Sequence, residues 1–79
     1  MQVNYIWLTY ETTAGVLSKL VWNETISLET AKKFINSLTT KELYRNRPSF
    51  WKTTRIKLAA QNLTTGEVLY RRTINIISK

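Results

Sequence analysis

The 79-residue chain contains no cysteine, no histidine and no aspartate. Without cysteine there is no disulfide framework and no thiolate ligand, and without histidine there is no imidazole ligand and no base for a Cys-His or Ser-His pair. Glycine occurs twice, at Gly15 and Gly66, too sparse for a phosphate-cradling loop of the P-loop or dinucleotide type. The five carboxylates (Glu11, Glu24, Glu29, Glu42 and Glu67) fall mostly in turns and helix positions, and no two are spaced to drive their pKa values apart. Together these absences argue against an enzyme, a bound cofactor and a metal centre. Long hydrophobic runs are missing as well. The longest apolar-dominated stretch, Val16 to Trp22, is interrupted by Ser18 and Lys19, and Met1-Gln2-Val3-Asn4 carries no basic leader. Neither a membrane span nor a signal peptide is expected, and the expected address is the cytoplasm. The acceptor patterns Asn23-Glu24-Thr25 and Asn62-Leu63-Thr64 are then chance matches to a glycosylation site.

What is present is enough for a fold. Apolar residues make up 43% of the chain and charged ones 22%, ordinary globular usage, with three Trp and four Tyr that a disordered tail would lack. A chain this short buries only about 60% of its extended surface, so residues 1–79 are read as one small domain.

Val3 to Tyr10 is dense in β-branched and aromatic residues and reads as a strand. The polar stretch Glu11 to Gly15 reads as a loop, and Val16 to Trp22 as the returning strand of a hairpin. Ser27 can cap a helix whose first turn holds Glu29. Leu28, Ala31, Phe34, Ile35 and Leu38 then recur at steps of three and four, with Glu29, Lys32, Lys33 and Asn36 on the other side. Such a short helix needs a surface to pack on. Trp51 to Gln61 alternates, with Thr54, Ile56, Leu58 and Ala60 in one phase and Thr53, Arg55, Lys57 and Ala59 in the other. Thr64 to Glu67 is a turn, and Val68 to Ile77 is a final strand whose core phase is Val68, Tyr70, Ile74 and Ile76. Arg72 breaks that phase, which places it at a strand edge, at a bulge, or with a buried stem and its head in water. Between helix and third strand, Thr39 to Phe50 is a long irregular connection, with Thr40 as a possible cap for one turn through Tyr44 and Pro48 as its end. The expected architecture is α+β: β-β-α-β-β, a four-stranded antiparallel sheet with one helix packed on one face. Which hairpin supplies the central strands stays open.

Twelve Lys and Arg against five Glu give a formal net charge of +7. Residues 1–31 hold Lys19 against three Glu, whereas residues 32–79 hold the other eleven cations against Glu42 and Glu67. Arg55, Lys57 and Arg71 share the polar phase of the last two strands and should project from the face opposite the helix. Lys41, Arg45, Arg47 and Lys52 crowd in and beside the long connection, where planar Arg forks suit phosphate or carboxylate. Such segregation favours an anionic partner and salt-sensitive binding. The first strand is apolar in both phases, Ile6 and Leu8 in one, and Val3, Tyr5 and Trp7 in the other. If Tyr5 and Trp7 lie on the open face beside Arg55 and Lys57, they form a stacking platform flanked by charge, as in single-strand binders. If not, that second face is covered by long side chains or by a homodimer partner meeting the first strand.

The order of an aromatic hairpin, the segment Ile26-Ser27-Leu28-Glu29-Thr30-Ala31-Lys32-Lys33, a long loop and a basic hairpin with Gly at its turn carries a resemblance. It resembles small phage- and prophage-encoded β-β-α-β-β proteins, among them anti-CRISPR inhibitors of type I surveillance complexes. The likeness is one of layout over most of the chain, and the aromatics of Tyr5 to Tyr10 depart from it. It implies stoichiometric docking on a nucleoprotein complex or on nucleic acid, without catalysis, in a bacterial cytoplasm, and it transfers no residue role.

Overall fold

The computed structural model describes residues 1–48 and 52–76. Trp51, read above as the start of the third strand, and Ile77, read as the end of the last, lie outside them. The elements in chain order are β1 (Gln2–Val3), β2 (Tyr5–Thr12), β3 (Gly15–Trp22), β4 (Ile26–Ser27), α1 (Leu28–Ser37), α2 (Thr40–Arg45), β5 (Thr53–Gln61) and β6 (Val68–Asn75). The main sheet is four-stranded and antiparallel in the order β3-β2-β5-β6, so each hairpin supplies one central and one edge strand. A second, two-stranded sheet pairs β1 with β4, an addition to the expected layout.

The core forms where the even residues of β2 and β5 meet the helices. Ile6, Leu8, Tyr10, Ile56, Leu58 and Ala60 are buried together with Val3, Ala31, Ile35 and Leu43. Val3, grouped with Tyr5 and Trp7 from the alternation alone, is fully buried instead, because Asn4 interrupts the strand and Val3 pairs with Ile26. In α1 the apolar stripe turns inward as its spacing requires: Ala31 and Ile35 are fully buried, with Leu28, Phe34 and Leu38 packed at their margin. The Ser27 hydroxyl caps the helix, accepting from Thr30 N–H at 3.1 Å. On the opposite side of α1, the Lys32 ammonium lies 5.6 Å from the centre of the Tyr70 ring.

The connection after α1 is less irregular than its sequence suggests. It winds into α2, capped by Thr39, whose hydroxyl accepts from Glu42 N–H at 3.1 Å, one residue earlier than the Thr40 expected. Leu43 anchors α2 in the core, and the buried Tyr10 hydroxyl donates to its carbonyl at 2.7 Å.

Register shifts revise the expected phases. Ile6 pairs with Trp22 and Trp7 with Leu20, leaving Val21 as the extra residue of a bulge. Likewise Glu11 and Thr12 pair with Arg55 and Thr53, so Thr54 is skipped and exposed while Thr53 is buried, the reverse of the expected phase. On β6 the skipped residue is Leu69, which packs toward the core in place of Val68. Arg72 lies on an edge strand as one alternative required, but its head is not in water. Its guanidinium donates to the carbonyls of Ile35 at 2.8 Å and Leu38 at 2.6 Å. The last turn of α1 has no cation of its own, and Arg72 supplies one from the sheet to the negative end of the helix. Among the described residues no helix is long and apolar enough to cross a membrane.

Candidate functional site

The face of the main sheet turned away from the helices carries the odd residues of β2 and β5. Directly paired residues share a face, so the register lays this surface out in rows. One row runs Leu20, Trp7, Ala59, Arg71; the next Ser18, Thr9, Lys57, Thr73; the next Val16, Glu11, Arg55, Asn75. Five of the nine residues singled out from the sequence, Tyr5, Trp7, Arg55, Lys57 and Arg71, therefore stand on one surface.

Tyr5 and Trp7 form an edge-to-face pair, with ring centres 6.1 Å apart and an interplanar angle of 61°. The Trp7 indole N–H donates to Gln61 Oε1 at 3.0 Å, and the amide of Gln61 donates in turn to the Gly66 carbonyl at 3.1 Å. This chain ties the indole to the β5–β6 turn, where Gly66 adopts φ +73°, a conformation that L side chains disfavour. Both rings are half-buried with no helix above them. They are braced by one another and by neighbouring side chains while keeping part of their surface open.

Beside them the sheet dips over Ala59, whose methyl leaves an open concavity of about 470 Å³. Arg55, Lys57, Arg71 and Thr73 border it on one side, and Thr9, Glu11 and Val16 on the other. Glu11, assigned to a loop from the sequence, belongs to β2 and reaches across to β5. Its carboxylate contacts Lys57 Nζ and lies 3.7 Å from Arg55 Nε. The hydrogen bond from Lys57, aided by the charges of Lys57 and Arg55, holds the Glu11 carboxyl below its usual range. Arg71 is exposed and, among the described residues, is in no ion pair. The concavity thus presents three cations against one carboxylate, an excess suited to an anion's oxygens.

The other four candidates are elsewhere. Lys41, Arg45 and Arg47 lie on α2 and the turn after it, on the helix side of the sheet. Arg47 is folded back, its guanidinium 3.8 Å from the centre of the Tyr44 ring and donating to the Tyr44 carbonyl at 2.8 Å. Lys52 is exposed at the entry to β5, and its carbonyl accepts from Thr13 N–H at 3.0 Å. Of these seven cations, only Arg55, Lys57 and Arg71 share a face with Tyr5 and Trp7. Sequence reasoning missed Glu11, Gln61 and Ala59; the continued alternation Tyr5, Trp7, Thr9, Glu11 was the signal for the first. Among the described residues no three carboxylates are grouped to hold a metal ion. Strand-to-strand pairing through β2 has no free edge, since β3 and β5 occupy both sides.

No protein family, curated protein or solved structure matches this chain.

Proposed function

We propose that the chain is a non-enzymatic binding protein whose open sheet face takes an extended anionic strand bearing flat rings, single-stranded nucleic acid. The observation that carries this reading is the adjacency of the Tyr5–Trp7 pair to the concavity edged by Lys57, Arg55 and Arg71. Bases stack on aromatic side chains with about 1–3 kcal/mol each, and a positively charged groove tracks the backbone beside them. Trp7, held by Gln61, offers a ring already oriented, so little freedom is lost on stacking. Arg71 offers a planar fork with no internal partner among the described residues, while Lys57 and Arg55 must exchange Glu11 for phosphate.

Fluorescence anisotropy with labelled single- and double-stranded DNA and RNA tests the reading. Three released cations predict a fall in log K against log salt with a slope of about −2 for single strands, measurable between about 50 and 200 mM. Single strands should bind more tightly than duplex, which hides its base faces. Equal binding of both, or none, overturns the reading.

A second reading has its own observation. Glu11 set among the cations, with exposed Val16 and Leu20 in the same rows, patterns the face like a protein contact of mixed charge and apolar surface. It supports a phage-type inhibitor that docks on a nucleoprotein complex and competes with its nucleic acid. Recovery of such a complex from a nuclease-treated bacterial lysate, with no binding to free oligonucleotides, is the outcome that favours it.

A further inference from the structure

Among the described residues β3 is a free edge of the main sheet, eight residues long, with Gly15 to Leu20 exposed in succession. Val16 keeps 64% of its surface exposed, Leu17 42% and Leu20 39%. Natural edge strands are blunted by prolines, charges, bulges or brevity. This one has no proline, a single charge at Lys19, and a bulge only near its far end at Val21. The opposite edge, β6, carries Arg71 and Arg72 and is backed by α1. We propose that β3 pairs antiparallel with the β3 of a second copy of this chain, about a two-fold axis at Ser18.

The occupant and the register follow from the side chains. Two copies of one edge strand can join antiparallel only with like faces on the same side, so residues of the same parity oppose each other. An axis at Lys19 sets that ammonium against its own copy, which is unfavourable. An axis at Leu17 leaves Leu20 beyond the strand facing it. An axis at Ser18 opposes Val16 to Leu20 twice on the open face, Ser18 to itself at the centre, and Leu17 to Lys19 on the helix side. Every exposed apolar residue of the strand then gains a partner, and no like charges face one another.

The shape of the sheet agrees with this seam. Two copies of net charge +7 repel, and β3 itself brings one ammonium per copy, Lys19, which the Ser18 register sets opposite Leu17 and not opposite its own copy. On the helix side α1 sits over β5 and β6 and reaches β3 only near its end, through Phe34 against Trp22 with ring centres 5.4 Å apart. The product is an eight-stranded sheet with both open faces on the same side. The two β2 strands would stand three strand spacings apart, about 14 Å, which aligns two aromatic and basic surfaces into one.

The association does not depend on the nucleic-acid reading, and its test omits nucleic acid. Sedimentation velocity of the unaltered chain from micromolar to millimolar concentration should show the mass rise toward twice the monomer. The rise should strengthen with salt, which screens the residual repulsion as the Debye length falls from about 10 to 3 Å between 0.1 and 1 M. Ser18→Cys puts the only thiol of the chain on the axis, and mild oxidation should link it about a hundredfold faster than Val16→Cys at another exposed position of the strand, because only a seated pair gives two thiols a millimolar effective concentration. In the Ser18 register the two Val16 positions lie four residues apart along the seam, about 13 Å. A constant monomer mass overturns the proposal, as does equal linking of the two variants. Pairing of β3 with a strand of a different protein would appear here as the monomer.

Discussion

Arg71 and Arg72 are neighbours in sequence with opposite roles, because a strand turns successive side chains to opposite faces. Arg72→Met keeps the buried stem and removes the donors to Ile35 and Leu38. Two charge-assisted bonds to helix carbonyls make a loss of about 2 kcal/mol the expected result of chemical denaturation. Arg71→Met, at an exposed position, should stay within about 0.5 kcal/mol of the parent while weakening oligonucleotide binding and reducing the salt slope by about 0.7. If both changes affect stability alike, the assignment of Arg72 as an external cap fails. Glu11 acts in the other direction. It occupies the cations that an anion needs, so Glu11→Gln should tighten binding several-fold and steepen the salt dependence. Its carboxyl has a lowered pKa in the fold, so its pairing supports stability at neutral pH, and that support falls away progressively as pH drops from the ordinary carboxylate range through the lowered value. An NMR titration of the Glu11 carboxyl should place it below the ordinary carboxylate range, and Lys57→Met should move it upward.

At the scale of elements, α1 and both hairpins were legible because their signals are local. Ser27 with the stripe Leu28, Ala31, Phe34, Ile35, Leu38 admits few other structures, and Ser27→Ala should cost about 1 kcal/mol of stability through the lost cap. The bulges were not legible. Val21, Thr54 and Leu69 are skipped because a twisted sheet must bend over its helix, and nothing in the residues themselves marks where one will be left out. Each bulge inverts the phase beyond it, which is why Thr53 and Leu69 face inward where Thr54 and Val68 were expected. α2 was half-legible: one helical turn was readable, but its tie to the core depends on Tyr10, thirty-three residues away. Tyr10→Phe removes only the hydroxyl that holds the Leu43 carbonyl. It should therefore increase amide exchange in α2 far more than in β2, and uniform exchange across both would contradict that latch.

At the scale of the molecule, the order β3-β2-β5-β6 decides what the open face contains. Placing β2 beside β5 sets Trp7 opposite Ala59, one row from Lys57, with Tyr5 in the row beyond, and brings Glu11 onto Arg55. Had the hairpins joined through β3 or β6, the same residues would have been scattered. Alternation could foretell that Arg55, Lys57 and Arg71 share a surface, but strand order rests on contacts between distant residues that no local pattern records. The same order separates Lys41, Arg45 and Arg47 from that surface, giving the molecule two basic regions on opposite sides of the sheet. The most direct measurement is a map of amide and side-chain NMR shifts on adding a short single-stranded oligonucleotide. The account predicts that the Trp7 indole, Lys57, Arg71 and Thr73 move together in fast response to salt while α2 stays still; shifts centred on Lys41, Arg45 and Arg47, or on neither side, would contradict it.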